Sequence, residues 1–236
     1  MTAFPGAAAL DRAGFQLQAV LAVADLPAEW GAGLGDYRQL ILFGHRGQRL
    51  WEAVAAAGGG GPDPIDDYTR HTVDAWLADH LPGVRHTLLY PALPGVPLPA
   101  VNFAGLGEWL GWQRPSPLGL GIHPDWGTWF AYRAAVLADS VLPLSVRVVP
   151  TRPCDRCSGK PCVSACPAGA VSESGFKGRD CASWRLAPES RCAGDCAARR
   201  ACPVGPAHRY GDEQMRHAAA CSLSTLKRLI LGAADG

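Results

Sequence analysis

The sequence has no cysteine before residue 154 and no run of 18 apolar residues. A membrane-spanning helix needs about 20 predominantly apolar residues, so the second absence predicts that no segment spans a membrane. Met1–Leu10 lacks the basic residues that precede the apolar core of a secretory signal. These absences predict a cytoplasmic protein. In such proteins, clustered cysteines bind metal or carry out redox chemistry more often than they form disulfides.

Neither sign of charge dominates, since 22 Lys and Arg stand against 21 Asp and Glu. A net charge of +1 gives no signature of binding to nucleic acid or another polyanion. The distribution is uneven, with 9 basic and 13 acidic residues over 1–149 but 13 basic and 8 acidic residues over 150–236. The positive excess is either ordinary fluctuation or a counterweight to an anionic cofactor, and both interpretations stay open.

The position of the cysteines divides the chain. All nine follow Pro153, in a stretch rich in Gly, Arg and Pro and short of large apolar residues. Such a stretch buries too little apolar surface to fold unaided, so we expect metal binding to stabilise it. The predicted domains are an α/β domain with a surface for a cofactor or partner, a [4Fe–4S] ferredoxin-type module and a C-terminal helix, over residues 1–149, 150–210 and 211–236.

Short apolar runs alternate with helical patterns in the first 149 residues, which favours a layered, mixed α/β fold. One helical pattern places Val73, Trp76 and Leu77 on a single stripe, and Asp63 is expected to cap that helix. Strands are predicted over 39–43, 87–90 and 128–137, and helices over 48–57, 65–80 and 101–110.

Three further segments carry simpler predictions. Residues 44–47 are expected to form a strand-to-helix turn, with anion binding before the next helix as the alternative. Four prolines within residues 91–99 predict a loop. Beyond Tyr210, an apolar stripe predicts a helix that packs on the rest of the protein: Met215, Ala219, Leu223, Leu226 and Ile230.

Eight of the nine cysteines form two groups with similar endings. The first has the spacing C-x2-C-x4-C-x3-C-P, and the looser second group also ends in Cys-Pro. A cubane cluster needs four thiolates from several directions, and in two-cluster bacterial ferredoxins the fourth cysteine of each run binds the other cluster. The pattern therefore predicts two [4Fe–4S] clusters. The expected ligands are Cys154, Cys157, Cys162 and Cys202 for the first cluster, and Cys166, Cys181, Cys192 and Cys196 for the second.

Two other uses of these cysteines remain open. Two zinc sites of four cysteines each would also account for eight, although Cys-Pro endings are less typical of zinc. Disulfides are the third option. Cys221 is left over, as an incidental free thiol or as a redox-active one.

Iron–sulfur clusters move single electrons, so the predicted function is an electron-transfer protein or oxidoreductase component that meets a soluble redox partner. A zinc-stapled interaction module is an alternative. Seven basic residues near the cysteines are expected to offset cluster charge or steer an acidic partner: Arg152, Arg156, Lys160, Arg179, Arg191, Arg199 and Arg200.

Three segments together resemble the family of epoxyqueuosine reductases and reductive dehalogenases. They are Ala104–Gly111, His123–Phe130 and the cysteine block, so the resemblance covers roughly Ala104–Gly205. It implies that an α/β domain binds cobalamin and that a two-cluster module, with the eight ligands paired as above, feeds it electrons. A cobalamin-dependent reductase is thus a further alternative. His123 is a candidate cofactor ligand, with a plain turn histidine as its alternative.

The sequence also departs from that family. The family carries an acidic proton donor ahead of the Gly-Leu-Gly segment, but no Asp or Glu lies between His86 and Gly107. Trp112 and the two residues after it stand where the family usually has a lysine, and the second cysteine group is wider. The departures predict a divergent member that does not reduce epoxyqueuosine.

Overall fold

The computed structural model describes residues 4–31, 33–92 and 101–232. Its contacts divide the chain into two units. Residues 1–111 and 130–149 form the first, here the sheet unit, and residues 112–129 and 150–236 form the second, here the cysteine unit. Residues 112–129, which the sequence-based division puts in the first domain, therefore group with the cysteines.

Helices and strands interleave along the chain. The helices are α1 (Ala7–Arg12), α2 (Ala28–Gly31), α3 (Arg49–Ala56), α4 (Pro64–His80), α5 (Phe103–Leu110), α6 (Pro161–Ser164), α7 (Gly178–Leu186), α8 (Ala197–Arg200) and α9 (Asp212–Gly232). The strands are β1 (Leu17–Ala22), β2 (Gln39–Arg46), β3 (His86–Tyr90), β4 (Arg114–Pro115), β5 (Gly121–Ile122), β6 (Phe130–Ala138), β7 (Val171–Ser172) and β8 (Gly175–Phe176). Within the described ranges, no helix combines the length and the apolar character that crossing a membrane requires.

The sheet unit is built on a four-stranded antiparallel sheet in the order β1-β2-β6-β3. Residues 39–45 of β2 are all buried, so buried and exposed side chains do not alternate along this strand. The helices cover it with apolar side chains. The predicted stripe on α4 is confirmed, because Val73, Trp76 and Leu77 all lie in the core. The mixed α/β class predicted from the sequence is confirmed by this unit.

The predicted turn at residues 44–47 is wrong. Gly44 and His45 continue β2 and lie opposite Tyr132 and Ala131 of β6, past an irregularity in the register after Phe43. The chain turns at Gly47, directly after Arg46 ends β2, and φ at Gly47 is 64°. Local turn residues favoured the earlier position, but pairing with a neighbouring strand extended β2.

Other element predictions had mixed outcomes. Asp63 occupies the N-cap position of α4, but its side chain makes no capping hydrogen bond. Strand β1 and helix α1 were not predicted. Of the four prolines in the expected loop, Pro94, Pro97 and Pro99 lie outside the described residues.

The cysteine unit consists of short helices, two two-stranded ribbons and the long helix α9. One small buried cluster contains Leu118, Cys162, Val171 and Ala198. Another contains Trp129, Tyr210 and Met215. The predicted C-terminal helix is confirmed, with Met215 buried and Leu223 and Leu226 half-buried, whereas the side chain of Ile230 lies outside the described residues. A ferredoxin-like arrangement of this unit stays a prediction.

Candidate metal centre

The first group of thiols gathers where α6 and α8 pack together. Cys154 and Cys157 belong to the turn that starts at Pro153, Cys162 lies in α6, and Cys202 follows α8. Burial raises the pKa of the Cys154 thiol, and the like charges of the other three thiols raise it further. Because such repulsion requires short separations, the structure brings together the four cysteines that the sequence assigns to the first site.

Backbone amides favour the charged form of two thiols in this group. Burial is the largest influence on Cys162 and Cys202 and raises the pKa of both. The Val163 N–H donates to the Cys162 sulfur and the Val204 N–H to the Cys202 sulfur, and each bond lowers that pKa in part. Donors aimed at sulfur are one means by which proteins hold cluster thiolates and set their reduction potential.

The second group of thiols lines one cavity of about 320 Å³. Cys181 lies in α7, Cys192 in the 3-10 turn Arg191–Ala193, and Cys196 just before α8. The pKa of Cys181 is raised mainly by burial and then by its three neighbouring thiols, which include Cys166 from the first run. The four cysteines assigned to the second site are thus also near one another, and Cys196 is the exposed member.

Each run therefore sends its fourth cysteine to the other group. A negative charge on Cys202 raises the pKa of the Cys162 thiol, and one on Cys166 raises the pKa of the Cys181 thiol. After each of the two crossing cysteines comes a proline and then a left-handed glycine, Gly169 with φ 59° or Gly205 with φ 65°. These turns redirect the chain after each crossing thiol.

The segment His123–Phe130 supports the turn after Cys202. A Cβ on Gly127 would lie 2.2 Å from the Val204 carbonyl oxygen, and one on Gly205 would lie 2.3 Å from the carbonyl carbon of Trp126. Neither position has room for a side chain, so the two backbones pack directly against each other. This close approach gives a structural reason for the glycine in the His-Pro-Asp-Trp-Gly motif.

Arg199 fixes the same segment from α8. Its guanidinium donates to the Thr128 hydroxyl at 3.3 Å and also to the Thr128 carbonyl, and it lies over the rings of Trp129 and Tyr210. At the other end of the segment, the His123 ring stacks on Trp126 with a centroid separation of 3.6 Å. These contacts explain the aromatic content of the motif as packing, while a ligand role for His123 stays a prediction.

Among the described residues, no three His, Cys, Asp or Glu side chains converge closely enough to bind one metal ion. In a tetrahedral zinc site every sulfur lies about 2.3 Å from the same ion, so the sulfurs must meet around a single point. The thiolates of a cubane bind four different iron atoms and are spread around its corners. The two kinds of site therefore require different arrangements of the four sulfurs.

The cations nearest the thiols differ from those expected. Arg152 acts on Cys154, as its position in the sequence suggests. Arg185 acts on two thiols of the second group and Arg209 on Cys202, yet neither was singled out from the sequence. Others on the expected list are engaged elsewhere: Lys160 pairs with Glu173, and Arg200 with Asp195 and Asp212. Distance along the chain could not distinguish these cases, although the i to i+4 spacing of Cys181 and Arg185 on one helix was a usable signal.

Cys221 lies apart from both groups, on an exposed part of α9. Its sulfur is 3.6 Å from the His217 imidazole nitrogen, one helical turn earlier. The structure adds this neighbour, and both interpretations of Cys221 stay open.

The sheet unit contains a polar cluster that sequence patterns did not indicate. His45 is 1% exposed, and its Nδ1 accepts a hydrogen bond of 3.0 Å from Nε of Arg133. Arg133 is the residue of β6 left out of the pairing where the register shifts, so the irregularity turns its side chain toward His45. Burial raises the pKa of the nearby Asp66, and the charge of Arg133 partly offsets this.

No protein-family model matches this chain, and no curated protein matches it at a significant level. Solved structures do match. Epoxyqueuosine reductase from Bacillus subtilis aligns over 89% of this chain and 67% of its own, with a TM-score of 0.55 and 12% identity. An epoxyqueuosine reductase solved with a modified tRNA stem loop aligns over the same shares, with a TM-score of 0.56 and 13% identity.

The chain has the epoxyqueuosine reductase fold. A reductive dehalogenase described as B12-dependent also shares this fold, with a TM-score of 0.53 and 14% identity over 91% of this chain. This chain spans only 33% of that dehalogenase. At such identities the comparisons establish the fold, and they agree with the resemblance drawn from the three sequence segments.

Proposed function

We propose that this chain is an iron–sulfur electron-transfer protein or reductase component that carries two [4Fe–4S] clusters in its cysteine unit. The observation that carries the proposal is the cavity that Cys166, from the first run, lines together with Cys181, Cys192 and Cys196. The proposed ligands are Cys154, Cys157, Cys162 and Cys202 for the first cluster, and Cys166, Cys181, Cys192 and Cys196 for the second.

The chemistry of these donors fits such clusters. Thiolate is the ligand that iron–sulfur clusters require, and four of them hold one cubane. A bound cluster supplies one-electron transfer and leaves proton chemistry to other groups. The protein holds the sulfurs in short turns, directs backbone N–H groups at two of them, and lines the second site partly with apolar side chains.

The apolar content of the cysteine unit supports a structural role for the clusters. Among the described residues, the buried clusters at Leu118 and at Trp129 have four and three members, and the elements of this unit are mostly two to four residues long. Segments this short order poorly by themselves, whereas metal binding contributes directly to folding free energy. We therefore propose a ferredoxin-type module, in a cytoplasmic protein that exchanges electrons with a soluble partner.

A cobalamin-dependent reductase is the second candidate. The observation in its favour is the fold shared with epoxyqueuosine reductases and with a dehalogenase described as B12-dependent. The missing acid between His86 and Gly107 argues against epoxide reduction. A chain that binds a corrinoid, reduces its cobalt through the clusters and acts on a different substrate would satisfy both observations.

The test is the metal content of protein purified without oxygen. Two cubanes require about 8 iron and about 8 acid-labile sulfide per chain. Cys196→Ser should reduce both by about half, whereas Cys221→Ser, the matched control, should leave both unchanged. Stoichiometric zinc without sulfide would contradict the proposal and promote the zinc-stapled module.

The same sample decides between the two candidate functions. On titration with cobalamin, a change in the corrinoid absorbance that saturates near one equivalent would promote the cobalamin-dependent reductase. Both clusters intact and reducible, with no change in the corrinoid spectrum, would leave an electron-transfer protein.

A further inference from the structure

Arg185 joins three segments around the second group of thiols. It lies on α7, one helical turn after Cys181. Its Nε donates to the Cys192 carbonyl at 3.2 Å, and its terminal nitrogens donate to the Ala219 carbonyl and the Ser222 hydroxyl, each at 3.0 Å. The planar guanidinium has several donors in a fixed fork, and this fork here connects two ligand-bearing segments to α9.

The long helix α9 forms one side of the second thiol site. Met215, Ala218, Ala219 and Ser222 line the same cavity as the four cysteines. Two of the three groups that bond Arg185 outside its own helix come from this stretch of α9. The small alanine side chains leave room for the helix close to the cavity, and Arg185 bonds this helix at Ala219 and Ser222.

The charge of Arg185 also acts on the site. A guanidinium stays protonated at any pH a protein tolerates, so its positive charge is permanent. Arg185 is half-buried, where water screens its charge less than at the surface. The charge of Arg200, four residues after Cys196, is by contrast opposed by Asp195 and Asp212.

We propose that Arg185 is a positioning residue of the second cluster, holding α9 as a wall of that site and raising the reduction potential of that cluster. Reduction adds a negative charge to a cluster that is already anionic, and a nearby fixed cation stabilises the reduced form. The inference rests on the proposed function, since it concerns a cluster at Cys166, Cys181, Cys192 and Cys196.

The charge effect is tested by removing one cation at a time from α7. Arg185→Gln and Arg179→Gln lose the same charge from the same helix, but Arg179 is exposed and serves as the matched control. In an electron-paramagnetic-resonance redox titration of intact protein, R185Q should lower the reduced-to-oxidised ratio of the second cluster at a fixed potential about tenfold. That corresponds to about 59 mV for a one-electron couple. The first cluster should not respond.

The positioning effect is tested by keeping the charge and removing the fork. Arg185→Lys retains a cation that cannot make the same three bonds, and Ser222→Ala removes only one bond. Both variants should speed hydrogen exchange of backbone amides in α9 near residue 222, R185K more than S222A. The potential of the second cluster should fall less in R185K than in R185Q, and in S222A it should stay within about twofold of the parent ratio.

The outcomes separate the inference from the function beneath it. A parent protein without iron and sulfide would overturn the proposed function itself. With both clusters present, equal effects of R185Q and R179Q on the second cluster would overturn the charge effect, and unchanged exchange of α9 in R185K would overturn the positioning effect. If R185Q loses only the second cluster, with about half the iron retained, positioning is supported. The charge effect is then decided by the reduction potential of the second cluster: a lower value in R185K than in R179Q would support it, and equal values would overturn it.

Discussion

In the sheet unit, Phe15, Ile41 and Val73 are fully buried between one sheet and its helices. In the cysteine unit, the buried clusters at Leu118 and at Trp129 have four and three members, and one of the seven is itself a proposed ligand, Cys162. The first arrangement is stabilised by apolar burial. The second has less apolar material and more thiols, so we expect a bound metal centre to stabilise it.

The difference shows how one chain can combine two means of stabilisation. We expect the sheet unit, which has its own core, to stay folded whether or not metal is bound. A unit held by clusters is folded only when they are present, which ties its structure to its redox chemistry. Each unit should therefore unfold independently of the other, and two changes to the protein test this expectation.

The largest effect is expected from losing a ligand. Cys157→Ser, or removal of iron by a chelator under reducing conditions, should unfold much of the cysteine unit and leave the sheet unit intact. Limited proteolysis followed by mass spectrometry would show cuts concentrated in residues 150–210. Cys221→Ser provides the control. Equal protease resistance in the C157S variant and the parent protein would mean that the metal does not hold this unit together.

A smaller effect, in the opposite unit, is expected from Trp76→Ala. Trp76 is 5% exposed, packs against Phe4 and Phe43, and donates from its indole to the Pro5 carbonyl. Emptying such a site costs about 3–5 kcal/mol of the free energy of unfolding. Denaturant unfolding followed by circular dichroism would measure this cost in the sheet unit. The iron content of the folded variant should stay at the parental level. Loss of iron would show that the two units do not unfold independently.

The sequence predicted the sheet unit in part. Periodicity located α3, α4 and α5 and three strands of the sheet, because each buries a pattern of apolar residues that is visible locally. It missed β1, and it ended β2 too early. Gly44 and His45 resemble a turn by residue type, and only their pairing with β6 makes them strand. Local amino-acid composition does not show which distant segments will pair.

The candidate site was predicted from cysteine spacing, because short loops and Cys-Pro endings restrict where each sulfur can go. One of the two predicted sets, Cys166, Cys181, Cys192 and Cys196, lines a single cavity, and the assignment of ligands to clusters stays a prediction. The cations around them could not be ranked from the sequence. Arg199 and Arg185 each lie within four residues of a cysteine. Arg199 donates a hydrogen bond to Thr128, however, whereas Arg185 donates one to the Cys192 carbonyl. Only side-chain direction distinguishes them.

The central claim is that each cluster takes one ligand from the opposite cysteine run. The most direct measurement is electron paramagnetic resonance of Cys166→Ala and Cys202→Ala, each reduced under conditions that resolve the two clusters. The crossed arrangement predicts that C202A loses or alters the signal of the cluster held by Cys154, Cys157 and Cys162, and that C166A affects only the other. If C166A instead removes the first signal and C202A the second, each run closes on its own cluster and the account is contradicted.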